Sequence, residues 1–214
     1  MNEGSYISYM KISYAITVCN ELEEIQRLIS FLLENKRPED EIVVLWDNKG
    51  SGEILGYLTS LKPPIKVIAA TFNNHFADWK NELNSSCTGD YIFQIDADEL
   101  PTIELIETLP LLVDQGVDII LVPRNNTVKG LTSEHIQKWG WRVDDLQRVN
   151  WPDYQWRIYR NSPDIKWKNK VHEVLEGYTT YTALPNDLSA GDLFLHHPKT
   201  IERQEKQNNY YNTL

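Results

Sequence analysis

The chain of 214 residues is poor in cysteine and in positive charge, and it has no long apolar run. Two cysteines, Cys19 and Cys87, are too few for a disulfide framework, so free thiols in a reducing compartment are expected. The formal net charge of −10 argues against a broad nucleic-acid-binding face, which needs clustered Lys and Arg. A local basic pocket for phosphates remains compatible with this charge.

No apolar stretch approaches the ~20 residues that a membrane-spanning helix needs. The N-terminal sequence MNEGSYISYMK lacks the apolar h-region of a signal peptide. With 41% apolar residues the chain can bury a sizeable core, and no linker, repeat or low-complexity segment indicates a boundary. We therefore expect a single domain over residues 1–214, located in the cytoplasm and either free there or bound peripherally at the inner face of the membrane.

Apolar periodicity predicts strands that alternate with helices in the first half of the chain. The predicted strands are Lys11–Cys19, Glu41–Asp47, Ile65–Thr71, Asp90–Asp96 and Val117–Pro123. The predicted helices are Glu21–Glu34, a short helix ending at Leu61, Phe76–Cys87 and Thr102–Asp114. This alternation predicts βαβ units, and hence an α/β fold of Rossmann type: a three-layer sandwich around a mostly parallel central sheet.

The segment Asp90–Glu99, with the sequence DYIFQIDADE, joins an apolar strand to a cluster of carboxylates. Side chains alternate faces along an extended chain, so Asp96 and Asp98 are expected to point the same way. Two such carboxylates form a half-site for Mg²⁺ or Mn²⁺, which substrate phosphates usually complete. A turn that is merely rich in aspartate is the alternative.

Polar residues also follow two other predicted strands. Cys19 and Asn20 end the first, and Asp47 ends the second. Ligands of parallel α/β sheets bind outside the carboxyl ends of the strands, which is where these residues and the aspartate cluster fall. Three strand ends converging on one crevice predict a ligand site there.

After Asn125 the alternation fades and tryptophans become frequent, which is typical of an irregular part of the core packed with aromatic rings. Two short strands and a polar surface helix are predicted in this half, at Gln155–Arg160, Lys166–Glu173 and Thr200–Leu214. His196 and His197 follow the apolar sequence DLFL at a further strand end. Because they are adjacent, their side chains are expected to point in opposite directions.

Six motifs in order resemble the family 2 glycosyltransferases of GT-A fold: ITVCNE, VVLWDN, FADWKN, TGDYIFQIDADE, RIYR and VHE. The chain is most similar to a small cytoplasmic branch of that family, in which the aspartate motif ends in DADE and the base lies in a His-Glu pair. The resemblance implies a GT-A-like sandwich, with a nucleotide-binding half over about residues 11–100 and an acceptor half over about 101–214. Two departures concern nucleotide contacts: DNKGSGE replaces the usual acidic-Gly-Ser-x-Asp turn, and Lys80 replaces an arginine.

The resemblance implies that the crevice binds a nucleotide-sugar donor, expected to be a UDP-sugar, through Thr17, Asn20, Glu21, Asp47, Lys80 and Asp96. Asp47 matches the carboxylate that accepts a hydrogen bond from the uracil imide N–H. Lys80 matches a cation near the diphosphate, where a point charge suffices. Asp96 would contact the ribose or the metal. For each of these residues a capping or surface role is the alternative.

The resemblance also implies a Mn²⁺ or Mg²⁺ cofactor. Asp98 would bind the metal directly, with Asp96 as a further candidate ligand. One of the two adjacent histidines would add an imidazole ligand, and the H-P-K-T register favours His197 over His196. Lys199, Arg203 and Lys206 on the last helix would then lie near the phosphates, although a solvated helix face is the more usual meaning of such charges.

Glu173 matches the catalytic base, at the end of a predicted strand beside His172. An inverting transfer needs one carboxylate or imidazole to take the proton of the acceptor hydroxyl, on a glycan or another molecule. Glu173 fits the motif better than His172, and a structural His-Glu pair is the alternative. Loss of activity on substitution of Glu173 would separate an enzyme from a non-catalytic glycan- or protein-binding module with the same fold.

Two other enzyme classes share parts of this pattern. A haloacid-dehalogenase-type phosphatase also ends a strand in D-x-D, but it needs a small residue and a threonine soon afterwards, where this chain has Glu99-Leu100-Pro101. A sugar nucleotidyltransferase typically has a Gly-rich basic loop after its first strand, whereas the sequence here is the acidic CNELEE. In both cases the departure from the other class favours glycosyl transfer.

Overall fold

The computed structural model describes residues 10–63, 65–187, 189 and 191–211. The strands are β1 (Ile12–Val18), β2 (Glu41–Asp47), β3 (Lys66–Ala70), β4 (Tyr91–Asp96), β5 (Leu100–Pro101), β6 (Ile119–Val122), β7 (Arg124–Lys129), β8 (Gln155–Arg160), β9 (Lys166–Lys168), β10 (Val174–Glu176), β11 (Tyr181–Ala183) and β12 (Leu195–Thr200). The helices are α1 (Leu22–Asn35), α2 (Gly52–Ser60), α3 (Phe76–Asn84), α4 (Ile103–Val113), α5 (Ser133–Trp139) and α6 (Ile201–Tyr211).

Seven strands form the central sheet, in the order β11-β6-β8-β4-β1-β2-β3. Strand β8 runs antiparallel to both of its neighbours, and the other adjacent pairs are parallel. The mostly parallel central sheet predicted from the sequence is therefore confirmed. A second sheet has the order β5-β12-β7, and β9 and β10 form an antiparallel pair.

The core lies on both faces of the central sheet because strand residues alternate between them. Along β1, Ile12, Tyr14 and Ile16 pack in one cluster with apolar residues of α1, α2 and α4. Ala15 faces the other way and packs in a second cluster with residues of α3, including Trp79. The sheet is thus sandwiched between helices, as the three-layer prediction requires.

Several predicted bounds differ from the structure. Helix α3 ends at Asn84 rather than Cys87, because Asn84, Ser85 and Ser86 are all weaker helix formers than the Glu82 and Leu83 that precede them. The predicted strand Lys166–Glu173 is wrong in its second half: β9 stops at Lys168, and Asn169 has a left-handed φ of 77°. The chain turns there, so Glu173 immediately precedes β10 instead of ending a strand.

Other predictions can be compared only in part. Cys19 and Cys87 are free thiols, as expected. In the described part of the chain, no helix combines the length and the apolar character needed to cross a bilayer. The N-terminal segment before Met10, judged to lack an h-region, and the last three residues of the predicted terminal helix lie outside the described residues.

Candidate functional site

The carboxyl ends of β1, β2 and β4 are adjacent in the central sheet. Thr17 of β1 is in register with Asp96 of β4 on one side and with Leu45 of β2 on the other. The Thr17 hydroxyl lies 3.5 Å from Oδ1 of Asp96. The structure thus brings together the three strand ends from which the sequence predicted a ligand crevice.

Asp47, at the end of β2, is buried, and one of its carboxylate oxygens is hydrogen-bonded to the backbone. Its Oδ1 accepts hydrogen bonds from the backbone N–H of Lys49 (3.1 Å) and of Phe72 (3.2 Å), so this oxygen caps backbone donors, in line with the capping role given as the alternative to base recognition. Its Oδ2 faces the Cys19 thiol at 3.6 Å. Burial and the neighbouring Asp47 charge raise the pKa of Cys19 to about 11, so this thiol stays protonated.

The turn after β2 approaches β1 so closely that it needs a glycine. A Cβ on Gly50 would lie 1.9 Å from the backbone oxygen of Cys19. The neighbouring turn at the end of β1 is shaped by Glu21, whose Oε2 accepts the backbone N–H groups of Cys19 and Asn20, both at 2.9 Å. Asn20 itself is exposed at the mouth of the crevice.

Asp96 is held by a buried arginine that the sequence motifs contained but to which no role was assigned. Arg157 of β8 donates from Nη2 to Asp96 Oδ2 at 2.6 Å, and Gln94 donates to Oδ1 at 3.0 Å. Burial alone would raise the pKa of Asp96, but the Arg157 charge and the other contacts outweigh it and hold this pKa well below its usual value. Asp96 is therefore an ionised carboxylate in the centre of the site.

Glu99, the last residue of the DADE sequence, is fully buried beneath Asp96. Its Oε1 accepts hydrogen bonds from Arg157 (2.6 Å) and from Arg124 (3.0 Å), and its Oε2 accepts the backbone N–H of Asp96 (3.1 Å). This ion cluster fixes the turn that carries the aspartates. Neither arginine was predicted to belong to the site, because nothing local in the sequence indicates which carboxylates they pair with.

The two aspartates of the DAD sequence have different partners. Strand β4 ends at Asp96, so Asp98 lies in the following turn and the expected strand alternation does not reach it. Asp98 Oδ2 lies 3.3 Å from Nε2 of His197 and 3.3 Å from Nη2 of Arg203. Asp98 and the predicted imidazole ligand are thus neighbours, and the α6 arginine reaches the same oxygen.

The adjacent histidines do point in opposite directions, although they lie within β12 rather than after a strand. His196 is exposed and packs edge-on against Phe194, with a centroid distance of 4.8 Å. His197 is buried, with 6% of its surface exposed, and burial lowers its pKa below the usual value. The His197 ring is therefore neutral at pH 7 and has a nitrogen lone pair to offer.

In the part of the chain that the structure describes, no three His, Cys, Asp or Glu side chains form a complete metal-binding group. Asp98 and His197 supply two candidate ligands. Mg²⁺ and Mn²⁺ accept oxygen and imidazole ligands, and Mg²⁺ usually keeps waters and substrate phosphates beside one or two protein carboxylates. The donor set fits a cation whose shell a diphosphate completes.

Lys80 and Glu173, predicted to act on the diphosphate and as the base, form an ion pair with each other. Lys80 Nζ lies 2.8 Å from Glu173 Oε1, and both side chains are at most 14% exposed. Lys80 also lies over the Trp167 ring, 4.4 Å from its centroid. His172, beside Glu173, has a left-handed φ of 55° in the turn between β9 and β10.

A cavity of about 230 Å³ lies on the other side of His197, between β7, β12, α6 and the loop that follows α5. It is lined by Arg124, Asn126, Val128, Trp141, Val149, Asn150, Asp153, His197, Lys199, Gln204 and Gln207. Amides, two cations and a carboxylate make this lining largely polar, and Trp141, Val128 and Val149 supply its apolar part.

Comparisons with known proteins identify the family and the fold. The family model described as glycosyl transferase family 2 matches residues 13–181. The crystal structure of S. aureus TarS 1-349 is similar to the chain, with a TM-score of 0.61 and 15% identity over 88% of this chain and 60% of that one. The complex of TarS 1-349 with UDP-GlcNAc gives a TM-score of 0.62 and 16% identity over 89% of this chain and 59% of that one.

The chain thus spans less than two thirds of the length of these TarS structures. No match was found among curated proteins. At this level of identity the structural likeness shows the fold, and it confirms the GT-A-like sandwich expected from the sequence. Because the family model covers most of the chain, from β1 to β11, the protein belongs to glycosyltransferase family 2.

Proposed function

We propose that the protein is a metal-dependent, inverting glycosyltransferase that moves a sugar from a UDP-sugar to a hydroxyl group of an acceptor. The observation that carries the proposal is the arrangement around Asp96. Asp98 and His197 form one pair near it, and the Lys80–Glu173 pair lies close enough for Lys80 to lower the pKa of Asp96. A candidate cation-binding pair and a candidate base thus both lie near Asp96 at the carboxyl edge of the sheet.

The nucleotide would bind over the ends of β1 and β2. The backbone N–H groups of Lys49 and Phe72 bind Oδ1 of Asp47, whereas Oδ2 contacts the Cys19 thiol at 3.6 Å and would accept the uracil imide N–H with its other lone pair. Thr17, Asn20 and Glu21 border the same opening. The TarS structures solved with UDP-GlcNAc and with UDP, on a similar fold, support a uridine nucleotide as the donor carrier.

Asp98 and His197 would hold Mn²⁺ or Mg²⁺, which when bound neutralises the charge of the departing diphosphate. Asp96, already paired with Arg157, is better suited to orient the ribose than to bind the metal directly. Arg203 is placed to contact the phosphates, since its guanidinium reaches Asp98 and also lies 3.6 Å from Glu21 across the opening.

Glu173 would accept the proton of the acceptor hydroxyl as its oxygen attacks the anomeric carbon. General bases of this kind contribute about 10²–10⁴-fold to the rate. The Lys80 ammonium orients the carboxylate through Oε1 and leaves Oε2 for the hydroxyl. One displacement with one base inverts the anomeric centre, so a UDP-α-sugar would give a β-linked product.

The cavity behind His197 would hold a sugar ring of one of the reactants. Sugar sites combine an apolar face with a few placed polar groups, and here Trp141 supplies the face while Asn150 and Gln204 supply amides. The lining residues suit a sugar ring of the donor as well as one of the acceptor. Steady-state kinetics with the donor and the acceptor varied separately distinguishes these two cases.

The proposal is tested by measuring the melting temperature with UDP, GDP and dTDP and with their sugar conjugates, each with Mn²⁺ and with EDTA. UDP-sugars with Mn²⁺ should stabilise most, and release of UDP in the presence of glycan acceptors should identify the reaction. Stabilisation by GDP or dTDP well above that by UDP would contradict the role of Asp47. Binding of glycans with no turnover of any donor would instead indicate a non-catalytic module.

A further inference from the structure

Four side chains, the last of which is His197, form a continuous hydrogen-bonded chain. Arg124 Nε donates to Asp153 Oδ2 at 2.9 Å, and Asn126 Nδ2 donates to the same oxygen at 2.6 Å. The Asn126 Oδ1 then lies 2.6 Å from His197 Nδ1. His197 closes the chain, with Nε2 facing Asp98 at 3.3 Å.

The direction of each bond in this chain is fixed by chemistry. A guanidinium only donates, and an ionised carboxylate only accepts. Burial would raise the pKa of Asp153, but the Arg124 charge and the hydrogen bonds hold it below its usual value, so Asp153 is ionised. Its 2.6 Å partner must therefore be the amide nitrogen of Asn126, which turns the amide oxygen toward His197.

The opposite orientation of the amide is excluded by the same contacts. It would place the Asn126 oxygen 2.6 Å from a carboxylate oxygen and leave two acceptors facing each other in a buried place, which costs the desolvation of both. The backbone oxygen of Val149 also accepts from the Asn126 amide nitrogen, at 3.5 Å. Both acceptors lie on the side away from His197.

The tautomer of His197 follows. Because Asn126 Oδ1 can only accept, His197 Nδ1 must carry a proton, and Nε2 is then the ring nitrogen that is left to offer a lone pair to a ligand. That lone pair faces the Asp98 carboxylate at a distance of 3.3 Å, with Arg203 Nη2 at the same distance from the same oxygen. Two acceptors that face each other in this way repel unless a proton or a metal cation lies between them, so this pair of atoms favours a bound cation.

We infer that Asn126, oriented by Asp153 and Arg124, is a positioning residue that fixes His197 as the Nδ1–H tautomer and so presents Nε2 and Asp98 together to a divalent cation. The inference refines the metal site of the proposed function and rests on it only for the identity of the cation. Residues that orient a metal-binding histidine in this way typically alter metal affinity by about 10–100-fold. The role belongs to Asn126 rather than to its neighbour Thr127, whose side chain leaves β7 on the opposite face.

The test measures the tautomer in the protein without metal or nucleotide, by ¹⁵N–¹H correlation of the histidine rings at pH 8, where an imidazole of ordinary pKa is neutral. Wild-type His197 should show a protonated Nδ1 and a bare Nε2. In Asn126→Ala the ring loses its acceptor, and the Nε2–H form, which can donate to Asp98, should become populated. Thr127→Val serves as the matched control on the same strand and should keep the wild-type tautomer.

Calorimetry of Mn²⁺ with saturating UDP then measures the consequence. Asn126→Ala should bind Mn²⁺ about 10–100-fold more weakly while its thermal unfolding stays cooperative. A bare Nδ1 in the wild type, or an unchanged tautomer in Asn126→Ala, would overturn the inference, and so would equal Mn²⁺ affinity in the two proteins. If the tautomers behave as expected and the wild type itself binds no Mn²⁺, the metal assignment in the proposed function fails while the positioning of His197 stands.

Discussion

The ammonium of Lys80 lies 2.8 Å from the carboxylate of Glu173, and both side chains are largely withdrawn from solvent. Lys80 lies in α3, and Glu173 lies in the turn before β10. The ion pair therefore connects the helix-covered face of the central sheet to the β9–β10 hairpin. Two residues with separate predicted roles thus form one unit. Breaking a buried ion pair by removing one partner leaves an uncompensated charge, so each residue depends on the other.

We predict that Lys80→Met lowers the turnover number by at least tenfold and leaves the affinity for UDP within about threefold of the wild type, because Lys80 orients Glu173 rather than the diphosphate. Calorimetry with UDP and steady-state kinetics measure the two quantities. Lys168→Met is the control, since Lys168 on β9 is more than half exposed and its partner Glu176 lies 3.9 Å away at the surface. A large loss of UDP affinity in Lys80→Met would return Lys80 to the diphosphate role expected from the sequence.

We also predict that Glu173→Gln removes most of the transfer, by about 10²–10⁴-fold, with nearly unchanged UDP binding. The amide keeps the shape of the side chain but accepts no proton. Glu176→Gln, three residues further along and exposed, is the matched control. The anomeric coupling constant of the wild-type product, measured by NMR, should show a β-linkage from a UDP-α-sugar. An α-linked product or an active Glu173→Gln variant would show that Glu173 is not the general base, and His172 would be the next residue to test.

The strands that border the site could be predicted because each is an apolar run that stops abruptly at a polar residue. In β2 and β4 the run ends at Asp47 and Asp96, and burial on both faces of a parallel sheet forces that pattern. The convergence of their ends then follows from topology alone. This is why the position of the crevice could be predicted from the sequence.

The contacts within the site could not be predicted in the same way. Arg157 pairs with Asp96 and Glu99 only because β8 enters the sheet antiparallel, beside β4, and no local pattern in the sequence specifies that insertion. The same holds for Asn126, which meets His197 through the pairing of β7 with β12. Long-range strand pairing decides which charges meet.

A third prediction concerns the cation. UDP should bind measurably in Mn²⁺ and at least tenfold more weakly in EDTA, and Asp98→Ala should abolish that difference, because in the proposed site a bound cation would strengthen the hold of the protein on the diphosphate. Calorimetry of UDP under both conditions measures it. Asp145→Ala, at an exposed aspartate of the loop after α5, should behave like the wild type. Equal UDP affinity with and without EDTA in the wild type would exclude the metal from donor binding.

A fourth prediction concerns stability and pH. Asp118 accepts hydrogen bonds from the backbone N–H of Thr179 (2.9 Å) and Thr180 (3.1 Å), and from Arg160 Nε (3.1 Å). These bonds, first that of Thr179, hold the pKa of Asp118 well below its usual value. The folded protein therefore binds fewer protons here than the unfolded chain around pH 3–4, so acidification through this range favours unfolding.

The stabilisation from Asp118 is thus fully present above about pH 5 and is lost as the pH falls below the ordinary aspartate value of about 3.9. Asp118→Asn should be less stable than the wild type at pH 7, and the gap should narrow steadily between pH 5 and pH 3. Urea unfolding at pH 7, 5, 4 and 3 measures it. A gap that stays constant over this range would show that the ionised state of Asp118 contributes nothing to stability.

The last prediction concerns Trp141 and the cavity behind His197. If a sugar ring stacks on Trp141, replacing it with alanine removes one aromatic contact, worth about 1 kcal/mol, and should raise one Michaelis constant roughly fivefold. Varying donor and acceptor separately shows which substrate provides the ring. Trp139→Ala is the control for lost packing, because Trp139 contacts the Trp141 ring at a centroid distance of 4.7 Å but is not among the residues that line the cavity. Equal effects of the two substitutions on both Michaelis constants would show that Trp141 only supports the loop after α5 and that the sugar ring binds elsewhere.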